Sequence, residues 1–110
     1  MKKYQEAIDY LDKFKSDDEM LGPLALGGIG DAFSQLGQMD EALSYYEKAA
    51  TLKSNDYTTP RFLLKAAVTA LSLNKADVAI KHLENLKDNY SSSTEAGQAD
   101  VHLGRAQAMK

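Results

Sequence analysis

The run LALGGIGDAF, residues 24–33, places three glycines within four positions, and its reading decides the fold. Taken alone it suits a loop that cradles a phosphate with convergent backbone N–H groups. Such a loop needs a buried strand before it and a helix N-terminus after it. The residues leading up to Gly27, DDEMLGPLAL, carry no strand pattern, and no Gly-Lys-Ser/Thr element follows. The flanks instead carry apolar residues at helical spacing, so the run reads as the middle of a helix, and no nucleotide is expected to bind it. Gly30 then takes a small position where two helices touch, opposite Ala42. Gly27 and Gly28 each cost the helix about 1 kcal/mol relative to alanine. That cost implies room either for a bulky neighbour such as Tyr10 or Phe14, the favoured reading, or for a ligand.

Working outward, three stretches align on an alanine: KYQEAIDYLDKF on Ala7, QMDEALSYYEKA on Ala42 and KADVAIKHLENL on Ala79. Each alanine is followed by an aliphatic (Ile8, Leu43, Ile80) and, four residues on, by a large side chain (Leu11, Tyr46, Leu83). This is a helical face in which a small residue permits close approach and larger ones fill the seam. Successive alanines lie 35 and 37 residues apart, the period of a helix-turn-helix solenoid. Two further apolar segments, PLALGGIGDAFSQL and PRFLLKAAVTALSL, begin with Pro23 and Pro60, and proline suits a first helical turn. Thr59 is the expected N-cap before Pro60, and Ser92 with Glu95 forms a capping box for a last helix. Breakers separate the segments, giving an all-α chain of six antiparallel helices at roughly 2–15, 22–36, 39–53, 59–73, 75–89 and 93–108.

Composition narrows the function. The 110 residues amount to one domain, 26% charged and 44% hydrophobic with a net charge of −3. The 13 basic residues are dispersed among 16 acids, whereas nucleic-acid binding needs a concentrated basic face; no nucleic-acid partner is expected. No apolar run is long enough to cross a bilayer, so no direct membrane contact is expected from this segment. There is no cysteine for a thiolate metal site or nucleophile. His82 and His102 lack an i,i+4 ligand partner and read as surface or edge imidazoles. The acids Asp17, Asp18 and Glu19, and the pair Asp40/Glu41, sit at helix starts, where carboxylates favour the exposed N–H groups. Nothing pairs Ser91–Ser93 with a base. Of Tyr45 and Tyr46, one is expected in the core and the other facing out. Neither catalysis nor a cofactor or metal is expected.

The period and its residues resemble the tetratricopeptide repeat (TPR). Pro23–Asp56 fits best. Leu26, Ile29, Gly30 and Phe33 stand where the family's first helix carries large, large, small and aromatic residues, Gly37 stands at the turn, and Ala42, Tyr46 and Ala49 mark the second helix. Ser54 replaces a frequent proline. A second unit, Pro60–Ser93, keeps the order through Leu63, Ala67, Ala70, Ala79 and Leu83, with Asn74 for the turn glycine and Leu86 at a usually small position. Residues 1–20 match only a second helix and 94–110 only a terminal helix. The resemblance implies a right-handed α-α superhelix and a single domain cut from a longer protein, since the first helix presents Tyr4, Ile8, Leu11 and Phe14 without an N-terminal neighbour.

A narrower resemblance joins it. DNYSSSTEAGQADVHLGRA is similar to a junction of bacterial cell-envelope TPR proteins, with Ser91 where proline is usual. EAIDYLDKFKSDDEMLGPLALGGIGDAF is similar to the C-terminal domain of membrane-tethered, ancillary-translocon-subunit-like TPR proteins, in which a transmembrane helix would precede Met1. This implies a periplasmic domain on an inner-membrane tether; a cytoplasmic setting is the alternative.

In the family the first helices line a concave groove that takes a protein or peptide. Carried over by position, the groove is Leu24, Gly27, Asp31, Ser34 and Gln35, then Arg61, Leu64, Lys65, Val68, Leu71 and Ser72, then Gln98, Val101 and Arg105. A carboxylate clamp would need Lys and Asn where this chain has Gly27 and Asp31. Arg61 and Lys65, the main cations, suit an acidic and apolar ligand unless they pair with Asp31 or other groove acids. The leading reading is a non-catalytic protein-binding scaffold. The rival is a structural module that docks onto its own chain or forms a homo-oligomer through its exposed first helix.

Overall fold

The computed structural model describes residues 5–6 and 21–110. Most of the helix expected at 2–15, with Tyr4, Ile8, Tyr10, Leu11 and Phe14, and the acids at 17–19 lie outside the described residues. The described chain is all-helical: α1 (Leu21–Gln35), α2 (Met39–Thr51), α3 (Thr58–Ser72), α4 (Ala76–Asn89), a 3-10 turn (Glu95–Gln98) and α5 (Ala99–Ala108).

Each helix packs on the next, and the seams are built on alanine. Ala42, Ala49, Ala66, Ala67, Ala70, Ala79, Ala99 and Ala106 are fully buried, letting backbones approach while Leu26, Leu43, Leu63, Leu83 and Leu86 fill the space between them. Leu86, at a usually small position, is itself fully buried. Ile29 and Ala32 form a second, smaller cluster with Phe33, Leu36 and Tyr45.

The turns within the two repeats are alike. Gly37 (φ 78°) and Asn74 (φ 59°) both adopt the left-handed conformation. The following N–H reaches back to the end of the helix in each case: Gln38 N–H to the Phe33 carbonyl at 2.9 Å, and Lys75 N–H to the Ala70 carbonyl at 2.8 Å. This helix-ending motif satisfies carbonyls that would otherwise be orphaned. A left-handed residue with a Cβ costs about 1–2 kcal/mol, and asparagine tolerates the region better than most residues. Gly37→Ala is therefore expected to lower stability by about 1 kcal/mol and Asn74→Gly to leave it equal or higher, as read by thermal melts.

Two expected caps are corrected. At α3 the cap is Asn55, not Thr59: its Oδ1 accepts the N–H groups of Tyr57 and Thr58, both at 2.8 Å. Thr59 plays the reciprocal part, its Oγ1 accepting the Asn55 N–H at 2.9 Å. At the last helix Ser93 rather than Ser92 is the cap, its Oγ accepting the Ala96 N–H at 3.1 Å, and the helix enters through a 3-10 turn.

The stack curves. The first helices approach one another, α1 with α3 and α3 with α5, whereas α2 and α4 have no Cα pair within 8 Å. A stack closer on one side bends toward that side, so α1, α3 and α5 line its inner face.

Candidate functional site

Two glycines of α1, Gly27 and Gly30, receive aromatic rings. A side chain at Gly27 would run into the Phe62 ring, and a Cβ at Gly30 would lie 2.8 Å from the Tyr46 ring. Tyr46 and Phe62 stack on each other, centroids 6.5 Å apart and planes 14° off parallel. The bulky neighbour at Gly27 is thus Phe62 from the following repeat, and the ring nearest Gly30 is that of Tyr46, one turn beyond Ala42. Tyr45 does not face out either; it is half-buried and stacks on Phe33 at 5.5 Å.

Tyr46 carries this packing into the inner face. Its hydroxyl donates to Asp31 Oδ1 at 2.5 Å, and the Lys65 ammonium donates to the same oxygen at 2.8 Å. Burial, then the Asp31 carboxylate, holds the Tyr46 phenol well above the ordinary tyrosine range, because both disfavour a phenolate. The folded-state value is raised, so the un-ionised phenol contributes stability below the unfolded value near 10. That contribution is lost as pH rises beyond it. Tyr46→Phe should cost about 1 kcal/mol at neutral pH and flatten the decline of stability between pH 9 and about 11, measured by urea titration at each pH.

Above this network lies a cleft of about 320 Å³ lined by Ser34, Met39, Tyr46, Leu64, Lys65, Val68, Thr69 and Ser72. Five residues expected in the groove meet here: Ser34, Leu64, Lys65, Val68 and Ser72. Met39, Tyr46 and Thr69 lie outside the expected groove set, and Tyr46, one of the tyrosine pair of which one member is expected in the core, is buried yet reaches the cleft. Asp31 and Gln35 are exposed on α1, as is Arg61 on α3. Leu24 and Val68 are among the exposed large hydrophobics. Two expected groove residues are not available to a ligand. Gly27 lies buried under Phe62, and Leu71 is in the core. Gln98, Val101 and Arg105 are exposed on the last turn and helix and do not line the cleft. Lys65 is not a free cation, since Asp31 neutralises it. Arg61 has no carboxylate partner among the described residues; its guanidinium lies 5.8 Å from the Phe62 ring centre.

On the outer side, His82 corrects the expectation of a surface imidazole. It is buried, and its Nε2 meets Glu47 Oε2 at 2.6 Å across the gap between α2 and α4. The same logic links Lys75 to Asp40 at 3.3 Å. Asp31–Lys65, Asp40–Lys75 and Glu47–His82 are separated by 34, 35 and 35 residues, one repeat period each. Equivalent positions of successive repeats stack, so opposite charges one period apart become neighbours. Among the described residues no cluster of side chains suits a metal ion, and no helix is long and apolar enough to cross a membrane.

Two helix pairs, stacked in register with matching turns, settle the repeat, and family models described as tetratricopeptide repeat match residues 23–56 and 62–93. The chain belongs to the tetratricopeptide repeat family. The first match takes in α1 and α2, the second most of α3 with α4. No curated protein and no solved structure gives a significant match. TPR repeats generally mediate protein–protein interaction, typically with protein or peptide partners, and TPR proteins are typically non-catalytic scaffolds.

Proposed function

We propose that this TPR chain is a non-catalytic scaffold whose inner face, between α1 and α3, binds a segment of another protein. One observation carries the reading: side chains of successive first helices, Ser34 from α1 and Leu64, Val68 and Ser72 from α3, converge on one open cleft, where Val68 is an exposed large hydrophobic. Exposed apolar side chains gathered at a cleft on a rigid stack suit a docking surface. A photo-crosslinking residue at position 68 should capture a partner in native extract, and one at position 81, on the outer side, should not. Equal capture at both positions, or capture at 81 alone, would overturn the inner face as the site. A crosslink at 68 to a second copy of the chain would favour the self-associating rival.

The cell-envelope setting is part of the same proposal. It rests on the sequence resemblance alone, of residues 6–33 to membrane-tethered bacterial TPR proteins and of residues 88–106 to a junction of bacterial cell-envelope TPR proteins. Fractionation of the native protein tests it: recovery in the cytosol would remove that setting and leave the groove reading intact.

A further inference from the structure

We propose that the cleft between α1 and α3 selects a partner segment that inserts one aliphatic or aromatic side chain, with an acidic residue about one helical turn away to meet Arg61. This rests on the groove reading above and names its ligand. The walls of the cleft are Leu64, Val68, the Met39 thioether and the Tyr46 ring. Its volume of about 320 Å³ is at the small end for ligand pockets, scaled to a side chain rather than a whole small molecule. Met39 is the adaptable member, since an unbranched thioether refits to differently shaped apolar groups.

The polar groups around the cleft are already committed within the chain. Thr69 Oγ1 donates to the Lys65 carbonyl at 2.7 Å, and Ser72 Oγ to the Val68 carbonyl at 3.3 Å. Ser34 Oγ points to the Met39 sulfur at 3.8 Å, and Tyr46 Oη and Lys65 Nζ both serve Asp31. A polar ligand group entering here would give up water and meet hydroxyls whose protons are already donated, and an anionic one would compete with Asp31 for Lys65, which is unfavourable. An apolar group loses nothing by that arrangement. The charge beside the cleft that has no carboxylate partner among the described residues is Arg61, exposed and three residues before Leu64, hence on the same helix face about one turn away. An acidic group on the partner completes it. The ligand is therefore recognised first by its apolar anchor and only secondarily by its charge.

Selection of a random-peptide phage library on the purified chain tests this. Enriched sequences should share a large apolar residue with Asp or Glu within about four positions. Against a synthetic enriched peptide, Val68→Asp should weaken binding at least about tenfold. Arg61→Gln should weaken it only about threefold and reduce its salt dependence. Val68→Ser serves in place of Val68→Asp if circular dichroism shows the latter unfolded. Enriched peptides that lack an apolar residue yet lose binding on Val68→Asp would overturn the proposal and leave the groove reading standing. Enriched peptides indifferent to position 68, or no enrichment at all, would overturn both.

Discussion

Leu83→Ala is expected to lower the stability of the chain by about 2–5 kcal/mol, a large part of what a domain this size has. Leu83 lies on α4 and is fully buried. Truncating it removes the transfer energy of the lost carbons and leaves a cavity that the neighbouring backbones cannot close. The alanines at those seams have already brought the helices as near as they go. In a solenoid each unit is stabilised mainly by its neighbours, so the loss should spread to α3 and α5. Urea titration monitored by circular dichroism reads the change, and hydrogen exchange should show faster opening of α4 and α5 than of α1. A loss under about 1 kcal/mol would mean that α4 is not packed as described.

The second large effect concerns the glycine run. Gly27→Val is expected to destabilise by about 1–3 kcal/mol, although valine is a better helix former than glycine. Its branched side chain would enter the space held by the buried Phe62 ring. The strain falls on a specific partner, so it should be relieved by shrinking that partner. Phe62→Leu alone costs stability, but combined with Gly27→Val it should recover part of the deficit, with a coupling energy of about 1 kcal/mol in a double-mutant cycle. Strict additivity of the two changes would show that Gly27 and Phe62 are not in contact.

The all-helical stack was legible because two kinds of residue report directly on backbone geometry. Alanines at a repeating interval mark close approach, and Gly37 and Asn74 mark the turns, both of them left-handed in the structure. What escaped was partnership between repeats. The glycine run is helix interior as expected, yet the neighbour that Gly27 makes room for is Phe62, far along the sequence on a helix of the next repeat, whereas the expected Tyr10 and Phe14 lie outside the described residues. Spacing shows that room exists and does not say who occupies it. Leu71 was placed in the groove because a face assigned from spacing alone is uncertain at its edges; the structure turns it into the core. His82 looked unpartnered because partners were sought within one helix, whereas Glu47 stands one period away. That rule, opposite charges separated by the repeat length, is readable from sequence once the period is known. Applied to Asp31 and Lys65, it shows that the groove lysine is already neutralised.

A partner is proposed to dock on the inner face between the first helices. Amide chemical-shift mapping of the isotopically labelled chain, titrated with a library-selected peptide, tests it most directly. The expected result is a contiguous patch of perturbed amides around Ser34, Leu64, Val68 and Ser72, absent in Val68→Asp. Perturbations centred instead on Glu47, Lys81, His82 and Asn85, in the outer cleft between α2 and α4, would contradict it.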